Sequence, residues 1–397
     1  MEPGPAHVAR LGPVPRGGAG LIEVLERSDL RGRGGASFPV GTKWRTVAGR
    51  RAGSAVLLVN GAEGEPLSYK DRLLMQCRPH LVIDGAFLAA TSVGADDIVL
   101  FVGEEHRPAR ASLERALAER VDHPCRVRFV TAPARYVAGE ESAAVHCVND
   151  GVALPTSIPP RPFEKGVGGR PTLVQNVETL AHVALVARFG DRWYQEGGRD
   201  GAGGTALLSI SGAVRQGSVL EVAQGSTIGE AVEAVGGATA AVGAVLLGGY
   251  FGGWVRAGET WSLPVDGMRL RAHGRALGCG TVALLPAHRC GVAMTALIAS
   301  YLADQSARQC GPCVFGLRAI ADALSRVAVC TPDAHDLTRL RTWSSELRGR
   351  GACRHPDGAA GLVLSALDVF DTEFLSHAVQ RRCSSPGTPL EAAQWTS

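Results

Sequence analysis

Apolar residues recur along this chain in two spacings, and the balance between them shifts twice. "GLIEVLERSDL" (20–30) places them at helical intervals, as do "LVIDGAFLAATSVG" (81–94) and "RASLERALAER" (110–120). Between these lie short apolar runs, "AVLLVN" (55–60) and "DIVLFVG" (97–103), and the alternating "CRVRFVTA" (125–132), which read as strands. Strands and helices taking turns at this length predict a parallel α/β sheet covered on both faces. After about residue 200 the pattern becomes short strands, glycine turns and one helix, in "TALLSISGAV", "GSVLEVAQGSTIGEAVEAVGG" and "AVLLGGYFGGWV". From about residue 287 four helical segments follow, "AMTALIASYLADQSA", "GLRAIADALSRVA", "DLTRLRTWSSELRG" and "GLVLSALDVFDTEFLSHAV", the signature of a helical bundle. The expected organisation is a flexible Gly/Pro/Arg-rich arm (1–20), an α/β domain (21–200), a small β-rich module (201–286), a bundle (287–380) and a tail (381–397).

Composition narrows the class. Of 397 residues 45% are hydrophobic and 20% charged, which excludes a disordered chain, and a net charge of +3 is too small to argue for nucleic acid. The start, Met-Glu-Pro-Gly, has no basic region followed by an apolar stretch, so no secretory signal is expected. The most membrane-like stretch, residues 238–255, is broken by Gly248-Gly249 and Gly252-Gly253 and suits a β-turn better than a lipid-facing helix. A cytoplasmic protein, with association to a membrane complex left open, is the resulting expectation. Ten cysteines in such a chain do not suggest a disulfide framework. Seven of them (77, 125, 147, 279, 290, 330 and 383) are scattered singly and read as small buried hydrophobes; Cys310 and Cys313 alone form a close pair.

Three loops carry candidate chemistry. "GRGGAS" (32–37), beside Arg31, Arg33 and Lys43, offers backbone N–H groups that can wrap a phosphate, although an Arg-Gly surface turn would look the same. It lacks the dinucleotide G-x-G-x-x-G spacing. "NGAEGEPLSYKDR" (60–72) and "YVAGEESAA" (136–144) each follow a strand, where open α/β sheets take their ligands. Their glutamates read equally as solvated charges.

In these motifs the sequence resembles the 51 kDa, F-type flavin- and NADH-binding subunit of NADH:quinone oxidoreductase (complex I). It is similar too to the related subunits of NAD-dependent hydrogenases and formate dehydrogenases. The resemblance covers roughly residues 20–375, through "RGRGGASFPVGTKW", "NGAEGEPLSYKDR", "YVAGEES", "PTLVQNVET" (171–179) and "SARQCGPCVFG" (306–316). It implies an α/β FMN domain, a β-grasp-like soluble ligand-binding (SLBB) module and a C-terminal four-helix iron–sulfur bundle. Carried over by position, Gly32, Arg33, Gly34, Gly35 and Lys43 would cradle FMN. Asn60, Glu63, Tyr136, Gly139, Glu140, Val174, Gln175 and Asn176 would complete its pocket, and Glu141 would be the catalytic residue near the nicotinamide. Cys310, Cys313 and Cys353 would ligate a 4Fe–4S or 3Fe–4S cluster. The implied activity passes electrons from a donor such as NADH through flavin, which takes two and releases one at a time, to a ferredoxin-like subunit or a membrane redox protein. A conventional NADH dehydrogenase subunit and a cofactor-poor scaffold are the alternatives.

Departures from the family pattern fall at informative places. Ala62 stands where the family has an aspartate, and Leu67 where it has a glycine. Thr46 and Arg161 occupy the positions of two adenine-stacking aromatics, with Ile158 at a lysine and Phe163 two residues beyond Arg161, so NADH has less support than flavin. Ala307 replaces the first cluster cysteine. Three outcomes follow: another group (Cys330, Cys279, Cys290 or His355) supplies the fourth bond, the cluster has three thiolates, or the site is empty. A Cys3His zinc site of Cys310, Cys313, Cys353 and His355 is a fourth reading.

Overall fold

The computed structural model describes residues 1–50, 54–120 and 125–385. The described chain divides into two compact bodies: Met1–Gly64, Ser68–Leu207 and Ala223–Gly225 form the first, and Glu65–Leu67, Leu208–Val222 and Ser226–Ser397 the second. The β-rich and helical segments, expected as separate modules, therefore fall in one body.

The first body runs α1 (Gly4–Leu11), α2 (Ala19–Ser28), α3 (Val40–Ala48), β1 (Ala55–Gly61), α4 (Lys70–Cys77), α5 (Pro79–Val93) and β2 (Ala95–Gly103). It continues through α6 (Arg107–Ala118), β3 (Arg126–Ala132), α7 (Glu141–Asp150), β4 (Thr172–Asn176) and α8 (Val177–Glu196). The four strands form a parallel sheet in the order β3-β2-β1-β4. β1 and β2 are almost wholly buried, as strands covered on both faces must be, which is why they read as unbroken apolar runs. β3 is an edge strand and is half-exposed along most of its length, without the in–out alternation its sequence suggested. α5 starts on a proline, is buried on nearly every side, and stops at Gly94 in the left-handed region (φ 71°). It packs on α8 so closely that a Cβ on Gly85 would lie 2.0 Å from the Leu180 carbonyl oxygen, so only glycine fits.

The first twenty residues are not a flexible arm. Pro5 lies in the first turn of α1, and Glu2 and His7 are buried. His7 Nε2 lies 2.7 Å from the fully buried Asp84 carboxylate, and Arg188 Nε donates to the Leu11 carbonyl. Gly/Pro/Arg content cannot reveal an anchor made by pairing with residues far along the chain.

The second body holds β5 (Thr205–Gly212), which begins in the first, β6 (Ser218–Ala223), α9 (Ile228–Ala234), β7 (Val242–Leu247), β8 (Gly253–Arg256), α10 (Ala257–Thr260), α11 (Gly267–Ala272) and β9 (Thr281–Pro286). Its strands form a mixed sheet, β6-β5-β9-β7-β8, and three helices accompany it where one was expected. The Gly-rich 238–255 stretch is the antiparallel β7–β8 hairpin, and among the described residues no helix is long and apolar enough to cross a membrane. α12 (Gly291–Asp304), α13 (Leu317–Ala328), α14 (Asp336–Leu347), α15 (His355–Val369) and α16 (Asp371–Leu375) follow. α12 packs on α13 and α15, and α14 packs on the same two. Sheet and helices share a core: buried Trp254 of β8 meets Phe370 edge-on at 5.1 Å, and its backbone N–H donates to Ser365 Oγ of α15.

Candidate functional site

β1 and β4 run side by side, so Leu58, Val59 and Asn60 stand opposite Val174, Gln175 and Asn176. Strands β2 and β3 lie on one side of β1 and β4 on the other, so the chain reverses its progress across the sheet at this pair. The crevice at the carboxyl ends of such a pair is where open α/β sheets bind ligands. Asn60 Nδ2 donates to the Gly139 carbonyl at 2.8 Å, drawing in the loop after β3. Asn176 Oδ1 caps α8 by accepting from Thr179 N, while its Nδ2 donates to Asp71 at 2.7 Å. The glycine loop arrives from the other direction, close enough that a Cβ on Gly34 would lie 3.3 Å from Asn176 Cβ. Gly34, Asn60, Gly139 and Asn176, scattered along the whole of the first body's sequence, thus meet at one place.

The loop itself is braced by Gly32 N donating to Phe38 O and Arg33 N to Thr179 Oγ1, both 2.9 Å. Gly35 has φ 106°, open to glycine alone, and Ser37 holds the left-handed φ of 52°. The N–H groups of exposed Gly34 and half-buried Gly35 donate to no protein acceptor among the described residues, which fits a loop built to wrap an anion. Gln175 is buried and accepts from Trp44 Nε1; Val174 is buried beside it. Lys43 Nζ pairs with Glu141 at 2.6 Å, both partly exposed.

Three predicted side chains have other partners than a flavin. The Arg33 guanidinium is buried against Gln224 Oε1, Tyr194 Oη and the Thr205 carbonyl, so this residue contributes backbone, not charge. Glu63 accepts from Ser68 Oγ and from the N–H groups of Asp71 and Arg72, which caps α4. Glu140 caps α7 through Ser142 N and Ala143 N, both at 2.9 Å. Tyr136 lies at the crossing of two loops: a Cβ on Gly64 would come within 2.9 Å of its carbonyl oxygen.

Beneath the strand ends lies a charge network that motif reading passed over. Lys70, fully buried, is 2.9 Å from Asp71 and 2.8 Å from Glu178. Burial alone would lower the Lys70 pKa, but Asp71, Glu178 and Glu63 raise it, so it stays charged. Burial would raise that of Glu178, yet Lys70, His182 and Arg33 hold it well below the usual carboxylate range. Asp71 is pushed up to about 6, chiefly by burial, with Lys70 opposing and Glu63 and Glu178 adding. Through Asp71 this network holds the Asn176 amide. A Lys-Asp pair directly after a strand-end loop was the available signal.

On the nucleotide side, Thr46 is half-buried and bonded to the Thr42 carbonyl of its own helix, and Arg161 and Ile158 are exposed. Phe163, the one nearby aromatic, lies under the Arg50 guanidinium at 5.0 Å and packs on the core. Ala62 is buried, and a Cβ on Gly139 would stand 3.7 Å from its methyl.

In the second body, Cys310 and buried Cys313 flank the start of a π-helical turn (Pro312–Gly316) ahead of α13, and Cys353 precedes α15. The Cys313 thiol is pushed up to about 12, first by burial and then by the neighbouring Cys310 and Cys353. Such a trio becomes a set of thiolates only with a cation among them, so the donors fit three positions of an iron–sulfur cluster. The hydroxyl of Ser306, next to Ala307, is buried without a hydrogen-bond partner, an unsatisfied group in the same loop. The other candidate ligands are engaged elsewhere. His355 Nε2 lies 2.7 Å from the Leu302 carbonyl and its ring meets Phe251 edge-on, so only Nδ1 is left to it as a ligand atom. Cys279 contacts Gly248 O and Thr281 Oγ1. Cys290 and Cys330 both lie against His377.

An α/β switch-point site with an anion loop, in a chain that also holds a cysteine trio on a helical scaffold, defines a flavin and iron–sulfur oxidoreductase component of the NADH dehydrogenase type. Residues 25–185 match the family described as the Nuo51 FMN-binding domain, and residues 293–377 the NADH-ubiquinone oxidoreductase-F iron-sulfur binding region. The chain is 31% identical to an F-type subunit (F 2) of NADH-quinone oxidoreductase from Rhizobium meliloti (strain 1021), over 91% of this chain and 90% of that one. It is 26% identical to the NADP-reducing hydrogenase subunit HndC of Solidesulfovibrio fructosivorans, over 92% and 77%. The crystal structure of an NAD+-reducing NiFe hydrogenase in the H2-reduced state matches with a TM-score of 0.84 and 29% identity, over 91% of this chain and 62% of that one. The chain belongs to the family of F-type subunits of NADH-quinone oxidoreductase.

Proposed function

We propose that this chain is the flavin-bearing electron-entry subunit of a larger cytoplasmic redox assembly, passing electrons between a reduced donor and a ferredoxin-like or membrane redox partner. In this reading the second body comprises an SLBB-like β-grasp module and a four-helix bundle. The observation that carries the proposal is the meeting of Gly34, Asn60, Gly139 and Asn176 at the β1–β4 switch point. Bound there, FMN supplies the exchange between two-electron and one-electron chemistry, and a cluster on Cys310, Cys313 and Cys353 the onward one-electron step. The protein's part is to hold them. Unengaged N–H groups at Gly34 and Gly35 suit a phosphate, and the asparagine amides, fixed by Gly139 and Asp71, suit a flavin pocket. The Lys43–Glu141 pair is partly open to solvent, where an incoming nicotinamide would compete for it.

Thr46, Arg161 and the covered Phe163 favour a donor other than NADH, because base stacking on aromatics is worth about 1 kcal/mol each. Anaerobically purified protein is expected to contain flavin and iron. Dithionite should bleach the flavin fully and NADH only slowly; equally rapid bleaching by NADH overturns the donor assignment, and absence of both flavin and iron overturns the proposal. Cys353→Ser is expected to change the EPR spectrum of the cluster, and an unchanged spectrum removes Cys353 as a ligand.

A further inference from the structure

Three cysteines that look isolated in the sequence, Cys290, Cys330 and Cys383, gather around one histidine. Among the described residues, Cys290, His377 and Cys383 offer ligand atoms that all lie within 4.8 Å of one another. Cys290 Sγ is 3.4 Å from His377 Nε2. On a tetrahedral zinc, with Zn–S near 2.3 Å and Zn–N near 2.0–2.1 Å, sulfur and nitrogen stand about 3.6 Å apart, so this spacing needs little adjustment.

The imidazole is held as a ligand's would be. His377 is 1% exposed, and its Nδ1 lies 3.0 Å from the Val327 carbonyl, which can only accept. Nδ1 therefore donates to that carbonyl and leaves Nε2, which faces Cys290, as the ring atom that can bind a metal, the arrangement usual for metal-bound histidine. Cys290 caps α12, where its sulfur accepts from Ala293 N and so already stands at the start of that helix as an acceptor. Two thiolates and a neutral imidazole leave a bound divalent ion without net charge, an acceptable group to bury. Cys330 lies on the other edge of the ring, 3.5 Å from Nδ1, and is a neighbour of the site, not one of its donors.

We propose that Cys290, His377 and Cys383 form a zinc site that pins the segment after α16 onto the start of α12. It is distinct from the iron–sulfur loop: the close group of ligand atoms holds Cys290, His377 and Cys383 and none of Cys310, Cys313 or Cys353.

The test is metal analysis of the full-length chain, purified anaerobically without added metal and again after incubation with zinc chloride and desalting. About one zinc per chain is expected, counted apart from iron. Cys383→Ser and His377→Gln should each lower zinc at least about tenfold and leave iron unchanged, while Cys310→Ser should lower iron and leave zinc. Cobalt in place of zinc should give thiolate charge-transfer absorption in the parent and not in Cys383→Ser, which by circular dichroism must remain folded for the comparison to count. Cys330→Ala should retain zinc. Zinc absent even after incubation, zinc lost with Cys310→Ser or with Cys330→Ala, or thiol mapping that finds a Cys290–Cys383 disulfide each overturn the assignment.

Discussion

Lys70→Met is expected to destabilise the first body by about 3–5 kcal/mol, the usual cost of removing one partner from a buried ion pair. Methionine fills much of the space of the lysine stem, so lost volume is a minor part of the effect. What remains is a set of buried carboxylates: Asp71 and Glu178 lose the ammonium 2.9 and 2.8 Å away, and Glu63 loses a more distant one. Arg33 Nε, 3.9 Å from Glu178, and His182, 3.7 Å from it, compensate in part. For a body of this size each kcal/mol moves the melting temperature by about 2–4 °C, so a fall of roughly 6–20 °C is expected. Asp71 should take up a proton, which weakens its hold on the Asn176 amide, so flavin content should fall with stability. Removing a carboxylate as well, in Lys70→Met/Glu178→Gln, should recover part of the loss. Thermal unfolding of the holoprotein checks this. A change below about 1 kcal/mol, or a double variant no better than the single, contradicts the role given to Lys70.

How far the chain was legible depended on how far apart the cooperating residues lie. The parallel sheet was readable because buried strands must be apolar throughout, and β1 and β2 are. The pairing of Asn60 with Asn176 follows once "AVLLVN" and "TLVQN" are neighbouring strands in register. The Arg33 side chain's partners were not legible, because its place in an Arg-Gly loop suggests phosphate, whereas Tyr194, Thr205 and Gln224 lie far along the chain. Glu63 and Glu140 were read as pocket residues because nothing local tells a helix-capping carboxylate from a ligand-facing one; the cap appears only when α4 and α7 are drawn. The cysteines make the same point most sharply. A C-x2-C pair announces itself, but Cys290 stands far in sequence from His377 and Cys383, and only the packing of α12 against the segment after α16 unites them.

Asp84→Asn should have an effect of the same size, with a pH signature that follows from the two guanidinium groups around it. Asp84 is fully buried in α5 and meets Arg120 and Arg188, each at 2.5 Å, and His7 at 2.7 Å. Burial would raise its pKa, but the hydrogen bond from His7 and the two guanidinium groups outweigh it and hold the carboxyl below its ordinary value. The sign follows from that direction. A carboxylate with a depressed folded pKa stabilises the protein fully above its unfolded value, near 3.9, and the contribution disappears as pH falls through the lower, folded value. At neutral pH the variant leaves the half-buried Arg120 and Arg188 without the counter-charge they share, at a cost of about 3–5 kcal/mol. Below pH ~4 the parent loses the same contribution, so the two stability curves should converge in acid. Because Asp84 also anchors His7, α1 should come free, and limited proteolysis should cut within residues 12–18 in the variant and not in the parent. A stability difference that stays constant from about pH 7 to pH 3, or an N-terminal segment equally resistant in both proteins, rules out this account of how α1 is held.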